Sequence, residues 1–163
     1  GAWVGTGSSC QTYSYDFCGS QVRLGRLAIG NAHGSELQGL DLPLRVESWQ
    51  AAVGGNAFVA EGLDSCSAAL LGAPQLSGYS GNLSAGETSA SLIGPLAGAG
   101  MLRLTAPGAG NDGSVRASIN GIPSWLFYDW RGNGREAASG LATFGIYAGS
   151  TPLIYRRELY RTQ

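Results

Sequence analysis

The most constraining feature of this sequence is a two-residue alternation of apolar and polar side chains, interrupted at short intervals by glycine and asparagine. In LPLRVESW, residues 42–49, the apolar Leu42, Leu44 and Val46 alternate with polar or charged side chains. Because successive side chains of a strand point to opposite faces, this pattern predicts a half-buried strand. Helical periodicity is nearly absent, so short strands are expected to build most of the fold.

Similar runs recur along the chain, separated by segments rich in the chain's 27 glycines, which accept the positive φ of tight turns. At least about eight such strands predict an all-β antiparallel sandwich or distorted barrel, with long glycine-rich loops and little helix. The further strand candidates are RLAI at 26–29, AFVA at 57–60, MLRLT at 101–105, SVRASI at 114–119 and ATFGIY at 142–147.

Several segments carry more local expectations. Pro43 favours an edge strand, because proline has no N–H to donate to a neighbouring strand. The apolar phase switches at Gly25, after Val22 and Leu24, which is typical of a bulge. Residues 63–73 form a weak helix candidate, residues 84–101 a long loop with one strand inside, and 151–160 the second arm of a terminal hairpin with 142–147.

Charge and hydropathy limit the partners. Ten basic residues, all arginine, balance eleven acidic ones, and the net charge of −1 favours neither nucleic acid nor an anionic membrane surface. No apolar run is long enough for membrane insertion, and the start lacks the pattern of a signal peptide. The expected division is an N-terminal arm or remnant of a preceding module at 1–25 and a β domain at 26–163, excised or cleaved from a larger precursor.

Three cysteines permit one disulfide and one remaining thiol, and their pairing is open. Cys10 and Cys18 would close a short loop, whereas a bridge from either of them to Cys66 would tie the N-terminal segment to the middle of the sheet. Poor zinc-ligand spacing and a single histidine favour the disulfide over a metal site.

Residues for catalysis are sparse, so the chain is not predicted to be an enzyme and no cofactor is expected. His33 lies in NAHGSE, which we interpret as a polar turn between strands, and no G-x-S-x-G elbow occurs. The match to G-x-G-x-x-G at 108–113 is followed by a strand-like run, whereas phosphate binding needs a helix there. We therefore interpret it as a hairpin turn.

The segment DWRGNGRE, residues 129–136, is the strongest candidate for a binding site. Asp129, Asn133 and Glu136 are weak calcium candidates, because Arg131 occupies a position where a calcium loop needs an oxygen ligand. An exposed aromatic ring beside polar groups also suits a sugar or a protein partner. Asp129, Trp130, Arg131 and Asn133 are therefore the predicted ligand or partner surface.

Several blocks, in order, resemble the C-terminal domain of MshQ-like proteins, large bacterial surface proteins encoded with the mannose-sensitive hemagglutinin (MSHA) type IV pilus system. The similarity runs from about Arg26 to Tyr160. That family's turn usually reads D-W-D-G-D-G and resembles a cation loop, whereas here Arg131 and Asn133 replace two of the aspartates. The similar blocks are GRLAIGNAHGSEL, LDLPLRVESW, GNAFVAEGLDSC, LRLTAPGAGNDGSV, PSWLFYDWRGNG and ATFGIYAGSTPLIYRRELY.

The resemblance implies export to the bacterial cell surface, where disulfides persist. It implies no enzymatic activity, and it points to a non-catalytic extracellular β domain of a pilus-associated protein that acts in assembly or adhesion. Expected partners are pilus components or copies of the chain itself. The alternatives are a self-associating structural subunit of an extracellular filament and, ranked lower, a carbohydrate-binding module.

Overall fold

The described part of the chain is built from strands joined by turns. The computed structural model describes residues 23–52, 54–64 and 67–145. Within these ranges there are two short 3-10 turns, Ser67–Leu70 and Ser124–Leu126. The nine strands are β1 (Gly25–Ile29), β2 (Ala32–Gly34), β3 (Leu40–Ala52), β4 (Gly55–Ala60), β5 (Pro74–Gly81), β6 (Ala90–Leu96), β7 (Ala99–Leu104), β8 (Gly113–Ile119) and β9 (Ser139–Phe144).

These strands form two sheets packed face to face. The first has the order β1-β3-β7-β6, and β4 pairs with the C-terminal part of β3 beyond the end of β7. The second has the order β2-β9-β8-β5, and β2 with β9 is the parallel pair among otherwise antiparallel ones. The all-β sandwich is therefore confirmed, and the distorted-barrel alternative is wrong because neither described sheet closes on itself.

The core lies between the sheets and uses the alternation seen in the sequence. Every second residue of β3 from Leu40 to Val46 is buried, while the residues between them are exposed. Full burial of each such leucine contributes about 1.5–3 kcal/mol relative to exposure. Facing them from the second sheet are Val115, Ala117, Ile119, Ala142 and Phe144.

Pro43 lies in β3, which has neighbours on both sides, so the edge-strand prediction is wrong for the strand as a whole. The physical reason is local. The odd-numbered residues of β3 bond toward β1, as shown by Trp49 N–H donating to Leu24 O at 2.8 Å. The pairing with β1 ends at Ile29 opposite Leu44, and Pro43 needs only to accept, at 2.7 Å, from Gly30 N–H. The missing N–H of proline therefore leaves no strand partner unsatisfied.

The helix candidate at 63–73 is reduced to the four-residue 3-10 turn Ser67–Leu70. Its N-terminal side is closed by Ser67 N–H donating to the Asp64 carboxylate at 3.1 Å. Glycine and proline follow within a few residues, at Gly72 and Pro74, which leaves too little chain for the costly first turns of an α-helix.

The loop predicted at 84–101 does contain one whole strand, β6, and β7 begins at Ala99.

Two turn interpretations are wrong in their topology. Residues 108–113 connect β7 of the first sheet to β8 of the second, so this glycine-rich turn crosses between sheets and does not form a hairpin. Gly108 and Gly110 do adopt positive φ there. The NAHGSE segment contains strand β2, in which the exposed His33 pairs with Thr143 of β9.

Several predictions fall outside the described residues and stay predictions. They concern the disulfide candidates Cys10, Cys18 and Cys66 and the second hairpin arm at 151–160. The first arm is present as β9, which pairs with β8 and β2. The division of the chain at residue 25 also stays a prediction, although β1 begins at Gly25 itself.

The bulge predicted at Gly25 is wrong, because β1 pairs with β3 in unbroken register from Gly25 to Ile29 and the bond from Trp49 N–H to Leu24 O continues that register.

Candidate functional site

The predicted binding segment is a turn closed by its own backbone. Tyr128 and Glu136 exchange two hydrogen bonds, N–H of each to O of the other, at 3.1 and 3.0 Å. Inside the turn, the Asp129 carboxylate accepts from the N–H groups of Asn133 at 2.9 Å and Gly134 at 3.2 Å. Asp129 thus holds the turn in shape by capping backbone amides.

The two carboxylates of this turn already have partners within the turn, and calcium binding by Asp129, Asn133 and Glu136 stays a prediction. The Asp129 oxygen is engaged by two backbone amides, and Glu136 forms an ion pair with Arg131 at 3.4 Å. A calcium site needs six to eight oxygen ligands converging on one point. Across residues 23–52, 54–64 and 67–145, no group of three or more His, Cys, Asp or Glu side chains is placed to hold a metal ion.

Trp130 is brought onto the outer face of the first sheet, beside an arginine of β1. The Arg26 guanidinium carbon lies 3.9 Å from the ring centroid of Phe58, 4.7 Å from that of Tyr128 and 4.8 Å from that of Trp130. These distances are typical of cation–π contacts. One cation is therefore shared by three aromatic rings from two separate parts of the chain, β4 and the 128–136 turn.

The rings also contact one another edge to face. Trp49 to Phe58, Phe58 to Tyr128 and Tyr128 to Trp130 have centroid distances of 5.0, 5.1 and 5.1 Å. Edge-to-face pairs at this spacing are favourable beyond their buried area. The rings thus form one chain of contacts around the cation. We call this cluster the Arg26 patch, and its members are Arg26, Glu47, Trp49, Phe58, Tyr128 and Trp130.

The charge of Arg26 is already paired within the patch. Its Nε donates to the Glu47 carboxylate at 2.7 Å, and the two side chains are only 20% and 12% exposed. By contrast, Trp49 and Trp130 are 43% and 39% exposed. The patch therefore presents two large rings to solvent around a neutralised, partly buried ion pair. Such a surface suits contact by apolar and aromatic groups.

Of the predicted surface residues, Trp130 joins the patch, Asp129 caps the turn, and Arg131 pairs with Glu136 at 3.4 Å. The sequence reasoning missed Arg26 and Trp49 as parts of one site. The alternation of β3 placed Trp49 on the outer face. Its neighbours there depend on strand register, in which Arg26 pairs with Glu47 and Phe58 with Trp49.

A cavity of about 550 Å³ lies beside β1 and β3 and shares Glu47 with the Arg26 patch. Its polar wall centres on Glu61, which accepts from Ser48 Oγ at 2.7 Å and from Arg23 at 3.1 Å. Its apolar wall includes the half-exposed Trp125. Residues lining the cavity include Val46, Ser48, Glu61, Leu63, Trp125 and Leu126.

This cavity carries a pH-dependent contribution to stability. The hydrogen bond from the Ser48 hydroxyl, reinforced by the Leu63 backbone and Arg23, holds the pKa of Glu61 below its ordinary value of 4.5 despite partial desolvation. The ionised carboxylate therefore stabilises the fold above that value, and this contribution is lost as the pH falls through the lowered folded-state pKa.

We expect the wild-type chain to lose more unfolding free energy than Glu61→Gln as the pH is lowered from neutral to about 3, because only the former has this carboxylate to protonate. Urea unfolding of both proteins at each pH measures the difference. Parallel loss in the two proteins would contradict the assigned role of Glu61.

No helix in the described ranges is long and apolar enough to cross a bilayer. This agrees with the absence of a long apolar run in the sequence.

Comparison with known proteins identifies the family. The family model described as DUF6701, fourth domain, matches residues 23–159, which is most of the chain and includes both sheets and the Arg26 patch. Neither the curated proteins nor the solved structures give a match. The matched model has no stated link to MshQ-like proteins, so the resemblance is supported only at the level of this family. The chain belongs to the DUF6701 fourth-domain family.

Proposed function

We propose that this chain is a non-catalytic β domain of an exported bacterial surface protein, and that it acts in assembly or adhesion by binding a protein partner. The observation that carries the proposal is the Arg26 patch. Tryptophan, tyrosine and arginine dominate the energetically important positions of protein interfaces, and the patch gathers all three types on one sheet face.

The electrostatics of the patch favour a particular partner chemistry. Because Glu47 already bonds Arg26 at 2.7 Å, the patch has little net charge to attract an acidic ligand. The exposed faces of Trp49 and Trp130 offer apolar area instead. The expected contact is therefore an uncharged protein surface with apolar and aromatic side chains, of the kind found at the centre of interfaces.

The wider setting rests on two lines of support. The matched family model is described as a fourth domain, which favours a place within a multidomain protein. The resemblance of the sequence blocks to MshQ-like proteins favours the bacterial surface and a pilus component as partner. A carbohydrate ligand is less favoured, because Asp129 and Arg131 bond within their own turn and do not converge on the Trp130 ring.

Site-specific photo-crosslinking on cells that produce the whole surface protein tests this function. A crosslinking amino acid replaces Leu24, which is 57% exposed and bonded to Trp49 through its carbonyl, at the margin of the patch. The control position is Leu37, 62% exposed, in the turn that precedes β3. At about 3.3 Å per residue, nine steps of β3 from Leu40 put Trp49 roughly 30 Å from that turn.

The expected result is a crosslink from position 24, and none from position 37, to peptides of a protein in the same surface assembly. Crosslinks of equal yield from both positions would contradict the proposal. Retention on a glycan array that is lost in Trp130→Ala would also contradict it, because the patch would then be a sugar site.

A further inference from the structure

The open edges of the two sheets differ in how they are protected against pairing with another strand. Unprotected edges invite strand addition, and proteins block them with proline, bulges, charge, short strands or covering segments. In the described residues, β6 contains Pro95 and a register shift, β5 begins at Pro74 and also shifts register, and β2 has only three residues. The edge of β1 packs against the turn Ser124–Leu126.

Among the residues that the structure describes, none of these protections is found at the outer edge of β4. Its six residues, GNAFVA, contain no charge and no proline, and its pairing with β3 has no register shift. Glu61 N–H donates to Val46 O, so the odd-numbered residues bond toward β3 and the even-numbered ones face outward. No described group bonds the outward N–H of Asn56 or Phe58.

This edge is also complementary to itself. In antiparallel pairing about a two-fold axis at Phe58, the Phe58 residues of two copies face each other and exchange both backbone bonds, while Asn56 of each copy faces Ala60 of the other. The strand has no charge to repel its copy, and the whole chain has a net charge of only −1. Cross-strand aromatic pairs such as the two Phe58 rings are favourable.

We propose that two copies of this chain associate through β4, which joins their first sheets into one continuous sheet. Because Phe58 belongs to the Arg26 patch, the two patches then lie side by side across the axis and form one larger binding surface. A closed two-fold contact uses up the edge in both copies, so association stops at the dimer. The inference concerns the edge of β4 and goes beyond the protein-binding role of the patch.

The test is light scattering of the full chain over a dilution series, with Asn56→Pro and its matched control Asn56→Thr. The N–H of Asn56 faces away from β3, so proline removes an outward donor and leaves the β3–β4 bonds intact. The expected mass of the wild type and of Asn56→Thr is twice the chain mass of 16.8 kDa. Loss of two bonds across the axis should weaken dimerisation of Asn56→Pro by about thirtyfold.

Hydrogen exchange supplies a second readout that does not depend on the variant. The Phe58 amide of the wild type should exchange slowly at dimer concentrations and rapidly on dilution, while core amides stay protected at both. A monomer at every concentration would overturn the proposal, as would ordered polymers or an Asn56→Pro dimer of unchanged affinity. The crosslink from position 24 to the partner protein is also measured in the Asn56→Pro variant. A dimer that fails to form therefore does not contradict the proposed binding function of the patch.

Discussion

Replacing Phe144 with alanine is expected to lower the free energy of unfolding by about 3–5 kcal/mol. Phe144 is 1% exposed and is the bulkiest fully buried side chain of the described residues. Its register partners on the two flanking strands are Gly34 and Gly113, which have no side chains to fill the space that alanine leaves. Because small domains have only about 5–15 kcal/mol of stability, this is a large fraction of the total.

Urea unfolding of Phe144→Ala beside Leu37→Ala measures this effect. Leu37 is 62% exposed, so its truncation should change the free energy of unfolding by less than about 0.5 kcal/mol. A loss below about 1 kcal/mol for Phe144→Ala would mean that Phe144 is not buried between the two sheets as described.

The second large effect is expected at Arg26, where alanine should cost about 2–3 kcal/mol and lysine about half as much. Alanine leaves the Glu47 carboxylate, which is only 12% exposed, without its hydrogen-bond donor, the Arg26 Nε at 2.7 Å. It also removes the planar guanidinium that the three aromatic rings contact. Lysine keeps the charge but loses the flat guanidinium that stacks on aromatic faces. Chemical unfolding of both variants measures the two costs.

A double substitution separates the ion pair from simple loss of packing. Replacing Arg26 and Glu47 together with methionine removes both charges and keeps apolar volume, so most of the stability lost in Arg26→Ala should return. If the double variant instead loses the sum of the losses measured for Arg26→Met and Glu47→Met singly, the pair does not act as a unit and the described geometry of the patch is wrong.

The sequence predicted the strands well because their signal is local. One face of β3, from Leu40 to Val46, must be apolar to cover the core. This requirement produces a two-residue alternation of apolar and polar residues in the sequence. The same holds for β9, where Ala142 and Phe144 are buried and Thr143 between them is not. Turn positions were also readable, since Gly108 and Gly110 adopt the positive φ for which glycine is suited.

The pairing of those strands was not readable, because register and sheet membership depend on contacts distant in sequence. The turn at 108–113 looks like a hairpin in composition, yet β7 and β8 belong to different sheets. The Arg26 patch could not be predicted for the same reason, because it also depends on contacts between residues distant in sequence. Arg26, Phe58 and Trp130 meet only because β1 and β4 flank β3 and the 128–136 turn folds over that face. Trp130 was singled out from its exposed, polar surroundings, and its cationic neighbour was not.

The most direct test of the binding role is the crosslinking yield from position 24 in two tryptophan variants. Trp130→Ala removes a ring of the Arg26 patch, whereas Trp125→Ala removes a similarly exposed ring, 52% against 39%, that lies outside it. Loss of an interface tryptophan of central importance costs at least about 2 kcal/mol, so with the partner below saturation the yield should fall by about thirtyfold or more in Trp130→Ala. It should stay unchanged in Trp125→Ala, and equal yields in the two variants would contradict the account.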